Sequence, residues 1–421
     1  MRHVIIGAGP AGVIAAETLR KLDRDAAITI VGAEKEPPYS RMALPYLLIN
    51  KIAEAGTHLR KEPSHFADLN IEVRQDTVTG VDGQQRLVKL GGGGDLAYDR
   101  LLVATGSRPA SPPVPGMDLP GVHTCWTLAD ARAIAGLAKP GASVVLMGAG
   151  FIGCIILEAL ALRGVRLTVV EMLDRMVPRM MNATAGNLIK QWCVAKGVAV
   201  HTSTRVSAIS RSGQGLSVAL DNGLALPADL VISATGVRPN VEFLSGSGVK
   251  IEQGVVIDRN MQTSVPGIYA AGDVAQGLDF STGGYSVQAI QPTAADHGQL
   301  AARNMSGLKN SSHRGSVNMN VLDTLGLISS SFGLWMGTDG GEAAETCDPA
   351  RYRYLNLQFK DDVLIGATSL GLTQHVGVLR GLIQTRTRLR EWKDRLLHDP
   401  TRIMEAYLAS TQAIGFNAGK L

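Results

Sequence analysis

The stretch HVIIGAGPAGVIAAETL, residues 3–19, recurs in outline as SVVLMGAGFIGCIILEAL, residues 143–160. Each opens on a short apolar run, carries G-x-G-x-x-G, and continues as an apolar, helix-like stretch. A second apolar run follows in each case, AITIV at 27–31 and RLTVV at 166–170, and an acid follows each run, Glu34 and Glu171. The pattern is strand, phosphate turn, helix, strand, acid, and it occurs twice. The three glycines of a turn have separate duties. Gly7 and Gly148 permit the tight turn, Gly9 and Gly150 let backbone approach a pyrophosphate, and Gly12 and Gly153 let helix pack closely on strand. The free N–H groups and positive dipole end of each helix attract phosphate. The acid accepts hydrogen bonds from a ribose. One such motif is weak support, but two copies in full βαβ settings point to two separate dinucleotides.

Further echoes lie outward from these units. YDRLLVATGSRP (98–109) closes the first and ADLVISATGVRPN (228–240) closes the second, each an apolar strand ending in Ala-Thr-Gly. VPGIYAAGDVAQ (265–276) reads as a strand ending in a Gly272-Asp273 turn, with Asp273 facing outward. QPTAADHGQLAARNM (291–305) reads as a helix starting at Pro292. SRPASPPVPGMDLPG (107–121) is a proline-rich crossing, GLKNSSHRGS (307–316) a polar linker, and GGGGD (91–95) a hairpin tip.

Bulk composition agrees with this reading. A chain of 421 residues can hold two or three domains with real cores. Its 48 glycines suit tight turns near phosphates, and a net charge of +4 is too mild to argue for nucleic acid. The four cysteines, Cys125, Cys154, Cys193 and Cys347, are far apart, with no C-x-x-C and no zinc-type spacing. A reduced, cytoplasmic protein is expected. The first strand, from about His3, leaves no room for a signal peptide. The apolar run 143–162 is long enough to suggest a membrane span, but its glycine turn and Glu158 favour a buried βα unit.

The order G-x-G-x-x-G, ATG, G-x-G-x-x-G, ATG, GD resembles the two-dinucleotide-binding flavoproteins of the pyridine nucleotide-disulfide oxidoreductase superfamily, over nearly the whole chain. The nearest flavour is that of the NADH-dependent reductases of ferredoxin, rubredoxin and nitrite reductase systems, with NADH oxidases and CoA-disulfide reductases as cousins. The resemblance implies an α/β fold with two Rossmann-like, glutathione reductase-like domains and a C-terminal α+β interface domain. It places an FAD domain at 1–112 and 241–315, an NAD(H) domain inserted at 113–240, and the interface domain, suited to a homodimer, at 316–421. It also implies FAD contacts from Gly7, Gly9, Pro10, Ala11 and Gly12, from Glu34 and Arg41, and from Ala104, Thr105 and Gly106. Gly272 and Asp273 join them, as do Pro292 and Thr293 at a helix start whose dipole would favour anionic reduced flavin. NAD contacts fall to Gly148, Gly150, Phe151, Ile152 and Gly153, with Glu171, Arg175, Thr235 and Gly236. Glu171 repels a 2′-phosphate and so favours NADH over NADPH, although Arg175 nearby could welcome one. In similar enzymes an aromatic at the place of Phe151 covers the flavin until NADH displaces it.

PPYSRMALPYLLIN, residues 37–50, reads as a helix entering a buried site. Within the resemblance, Met42 falls where thiol-using members place a redox cysteine. A thioether forms neither thiolate nor mixed disulfide. Ile155 falls where members often carry a glutamate, and Tyr46 (or Lys51, if the alignment slips) where its lysine partner stands. Loss of both members of such a pair leaves no stranded buried charge. The reading is an FAD-dependent NADH:acceptor reductase passing electrons directly to a carrier such as an acidic ferredoxin or rubredoxin. The alternatives are an NADH oxidase or small-molecule reductase, peroxide-forming if oxygen is the acceptor, and a flavoprotein component of a larger redox assembly. LRGLIQTRTRLREWKDR (379–395) is a basic run that could dock an acidic partner, but it reads first as a solvated helix face or an oligomer contact.

Overall fold

The computed structural model describes residues 1–307 and 311–417, so residues 308–310 of the polar linker lie outside it. The chain divides into two compact units, Met1–Pro109 with Val237–Ser316, and Ala110–Gly236 with Val317–Leu421.

The first unit is built on a five-stranded parallel sheet in the order Ile268–Ala270, Arg100–Val103, Arg2–Ile6, Ala27–Gly32, Ile71–Gln75. Its central strands are apolar at successive positions, as strands covered on both faces must be. Val4, Ile5, Ile6, Leu101, Leu102 and Val103 are all buried. Two helices, Pro10–Leu22 and Gln291–Met305, pack against each other through small residues. A Cβ on Gly298 would lie 2.5 Å from the Ala11 carbonyl oxygen, so no side chain fits there. Arg20 fastens the far end of the first helix by donating to the carbonyls of Asp23, Arg24, Ala26, Leu69 and Asn70. The expected hairpin is present within a three-stranded antiparallel sheet of Val78–Asp82, Leu87–Leu90 and Asp95–Ala97.

The second unit holds another five-stranded parallel sheet, in the order Ala199–His201, Arg166–Val170, Ser143–Met147, Leu230–Ser233, Val122–His123. The helix Phe151–Leu162 is apolar nearly all round because it packs on this sheet and on the strand Met319–Thr324. Among the described residues no helix is long and apolar enough to cross a membrane. Arg163 donates to the carbonyls of Ala135 and Ala138.

Met319–Thr324 is the edge of a five-stranded antiparallel sheet continuing through Leu327–Gly333, Val363–Leu370, Arg353–Lys360 and Glu342–Asp348. Alternation sends Leu355, Leu357 and Phe359 to the face covered by helices Val376–Thr385, Glu391–His398 and Ile403–Asn417. The opposite face bonds to the remainder of this unit: Asn182 Nδ2 donates to Tyr354 Oη at 2.5 Å and Trp192 Nε1 to Thr324 O at 3.0 Å. The basic run is broken into two helices, because Arg386 and Arg390 hold φ of 49° and 52°. Its Lys393 pairs with Glu342, and Arg395 and Arg402 lie over Trp392, 4.6 and 5.5 Å from the ring centre. Trp392 is therefore half-buried beneath side chains of its own unit.

Candidate functional site

The two glycine turns have the same geometry. Gly7 sits at φ 115°, where an added Cβ would meet Ala104 O at 2.1 Å. Gly148 sits at φ 97°, with Ala234 O at 2.6 Å from the same built atom. Ala104 and Ala234 each open an ATG triplet on the strand beside the turn, which is why the triplets recur together with the glycines. A Cβ on Gly12 or Gly153 would strike the carbonyl of the first glycine of its own turn, at 2.0 and 2.2 Å. A Cβ added at Gly9 or Gly150 would meet nothing within 4 Å. Each following helix starts without a side-chain cap, at Pro10 and at Phe151. An open cradle at the start of an uncapped helix fits a pyrophosphate at both places.

Around the first turn the structure joins residues far apart in sequence. Arg41 Nη2 donates to Glu34 Oε1 at 2.9 Å, and the Tyr39 hydroxyl donates to Glu34 Oε2. Arg41 Nη1 donates to Ser107 O at 3.2 Å, and Ser107 Oγ to Asp273 Oδ2 at 3.2 Å. Asp273 thus turns inward, contrary to the outward orientation expected from its Gly-Asp turn. Burial pushes its carboxyl above the usual range, against the pull of Ser107 and Arg41. Gly272, at φ 76°, brings this turn against Ala11 and Ala294. Thr105 Oγ1 donates to Asn240 O at 2.8 Å, and Asn240 Nδ2 returns a bond to Thr105 O at 2.9 Å. Asn240 ends the stretch GVRPN, and sequence reading gave it no role.

The segment 37–50 differs from its expectation. It forms a short 3₁₀ turn, Arg41–Ala43, and one helical turn, Leu44–Leu48. Leu44 and Leu48, four apart, are 2% and 1% exposed and anchor it. Met42 and Tyr46, also four apart, are 48% and 53% exposed on an open face. Ser40 Oγ donates to Gln291 Oε1 at 2.7 Å, fastening the segment to the first residue of Gln291–Met305. That helix starts one residue before Pro292, and Thr293 is buried in its first turn.

In the second unit Glu171 is 6% exposed. Its Oε2 accepts the Ala149 N–H at 2.7 Å and its Oε1 the Leu173 N–H at 2.9 Å. Arg175 is engaged by its neighbours, donating to Met181 O at 3.0 Å and to the Asp174 carboxylate at 2.9 Å. Phe151, Ile152 and Ile155 are half-buried along one helix, while Thr235 is exposed beside Gly236 at φ 121°. Val177 escaped the sequence reading: it is β-branched, 1% exposed and held at φ 46°. Such a conformation costs about 1–3 kcal/mol.

All four cysteines lie in the second unit and none is in a disulfide. Burial pushes the thiols of Cys125 and Cys193 up to about 12 and that of Cys154 well above its usual value. Exposed Cys347 is also raised, by partial burial and by Glu345 and Asp348. None is poised as a thiolate. Among the described residues no cluster of His, Cys, Asp and Glu could hold a metal ion.

His297, on the helix Gln291–Met305, is buried beside Ser316 and His313, and burial pushes its pKa down to about 3. The unfolded chain takes that proton near 6.5 and the folded one only near 3, so the unfolded state binds more protons in between. Stability therefore falls as pH drops through that window, by ~2 kcal/mol from pH 6.5 to about pH 5. Denaturation of His297→Gln should lack that share of the acid sensitivity.

Residues 1–298 match the family described as pyridine nucleotide-disulphide oxidoreductase. The chain belongs to this family. It is an oxidoreductase with FAD and NADH as cofactors, and its two parallel sheets are the Rossmann-like pair of the fold. The chain is 31% identical to the NADH-dependent phenylglyoxylate dehydrogenase subunit epsilon of Aromatoleum evansii, over 97% of this chain and 98% of the relative. It is 33% identical to the NADH oxidase of Methanocaldococcus jannaschii, over 73% and 71% of the two chains. Among solved structures it is similar to the covalent putidaredoxin reductase–putidaredoxin complex, with TM-score 0.89, 25% identity and coverage of 97% and 99%.

Proposed function

We propose that this member is an NADH:acceptor reductase whose electrons leave directly to a carrier protein, without a cysteine relay. The observation that carries the proposal is the absence of any cysteine from the first unit, with Met42 on the open face of 41–48. Gly7, Gly9, Pro10, Ala11 and Gly12 are assigned to the FAD pyrophosphate, Glu34 with Arg41 to its ribose end, and Ala104, Thr105 and Gly106 to the strand end beside it. Gly272 and Asp273, and the helix start at Pro292 and Thr293, complete that set. Gly148, Gly150, Phe151, Ile152 and Gly153 are assigned to NADH, with Thr235 and Gly236. Arg175, already paired with Asp174, is poorly placed to receive a 2′-phosphate, which with Glu171 favours NADH over NADPH. Bound flavin supplies the redox chemistry, accepting a hydride and returning the two electrons singly or together.

The carrier is assigned as a ferredoxin or a rubredoxin, by likeness to ferredoxin–NAD(+) and rubredoxin-NAD(+) reductases. Residues 316–421 are assigned to contact with a second copy or another subunit. A second reading, a flavoprotein subunit of a larger assembly, is favoured by end-to-end similarity to the epsilon subunit. Co-purification of further subunits would favour it. Anaerobic titration tests the missing relay: one equivalent of NADH per flavin should complete reduction. Uptake of a second equivalent would reveal another two-electron centre and overturn the proposal.

A further inference from the structure

Ala149, the middle residue of the second Gly-x-Gly turn, has its peptide groups held on both sides. Its N–H donates to Glu171 Oε2 at 2.7 Å, while its C=O accepts the Val177 N–H at 2.8 Å and the Cys154 thiol at 3.5 Å. Glu171 is itself fixed, because Oε1 accepts the Leu173 N–H and its own N–H donates to His201 O at 2.8 Å. Val177 reaches Ala149 only from its left-handed backbone, a conformation that β-branched residues avoid. The first turn is built otherwise. Its acid, Glu34, is taken by Tyr39 and Arg41, and among the described residues no side chain bonds the Ala8 peptide.

We infer that Glu171 is a positioning residue for the second phosphate turn. With Val177 it holds the Ala149 peptide, so that the turn keeps the shape that leaves Gly150 open before any nucleotide arrives. This rests on the reading of the second unit as the NADH site and deepens it. The carboxylate acts through the backbone beneath the pyrophosphate, an effect on affinity separate from its exclusion of a 2′-phosphate. A turn held in advance has no ordering entropy to lose on binding.

The test is Glu171→Gln in the flavin-loaded protein, because an amide offers one acceptor oxygen where the carboxylate offers two. Exchange of the Ala149 amide hydrogen should quicken about tenfold and NADH affinity should fall about tenfold. An NADH analogue lacking the adenosine 2′-hydroxyl should lose affinity by the same factor. Loss confined to NADH, with the deoxy analogue bound as before, would overturn the inference and give Glu171 a ribose contact alone. Unchanged Ala149 exchange would also overturn it. Should the variant not fold, the unsubstituted protein decides, because an Ala149 amide exchanging like an open loop without nucleotide contradicts the clamp. Failure of the underlying reading looks different: neither nucleotide binds the unsubstituted protein, and the exchange arm alone then judges the clamp.

Discussion

Replacing Gly153 by alanine is expected to leave a yellow protein that NADH bleaches on the order of 10²-fold more slowly. The new methyl carbon would lie 2.2 Å from the Gly148 carbonyl oxygen. A backbone carbonyl in a turn cannot rotate aside as a side chain can, so helix and turn must separate. A displacement of about 1 Å in a positioning element costs on the order of 10²-fold in rate, and that loss is expected for flavin reduction by NADH. Gly12→Ala places the same strain in the other unit, 2.0 Å from Gly7 O, and should yield folded protein depleted of FAD. Flavin absorbance after purification and anaerobic stopped-flow bleaching read the two variants. The opposite result, with flavin lost from Gly153→Ala and kept by Gly12→Ala, would exchange the assignments of the units.

The second large effect is expected at Gly298, where the helices Pro10–Leu22 and Gln291–Met305 meet. Valine there puts its Cβ 2.5 Å from Ala11 O and adds two methyl groups to a contact already closed. Overpacking of this kind costs about 3 kcal/mol when the neighbour cannot yield. For a unit of this size that corresponds to roughly 6–12 °C in the temperature of flavin release. The helix start at Gln291–Thr293 would shift with it, so the flavin should be held more weakly. A release temperature within about 1 °C of the unsubstituted protein would show that the helices are not so close.

The phosphate turns were legible because their stereochemistry is local. Only glycine takes the φ of Gly7 and Gly148, and only glycine clears the carbonyls beside Gly12 and Gly153. The ATG triplets were legible because they supply the carbonyls against which those glycines turn. Gly298 was not, although Ala294, Ala301 and Ala302 on the same helix hint at a close neighbour, because the neighbour is set by tertiary packing. Asn240 and Val177 were missed for the same reason: each owes its place to a peptide elsewhere, Thr105 in one case and Ala149 in the other. Asp273 was found but turned the wrong way, since nothing in YAAGDVA announces Ser107. The continuous basic run 379–395 hid two positive-φ arginines, a conformation that residue type does not signal. In the segment 37–50 the pattern located the residues but not their exposure. Leu44 and Leu48 took the buried side and left Met42 and Tyr46 open.

The central claim is direct electron exchange between bound flavin and a one-electron carrier. It is tested by reducing the enzyme with NADH anaerobically and mixing it rapidly with an iron–sulfur carrier, with a disulfide substrate, or with oxygen. Reoxidation by the carrier is expected to be at least ~100-fold faster than by oxygen, with none by the disulfide. Rapid reoxidation by the disulfide, or by oxygen with every carrier inert, would contradict it.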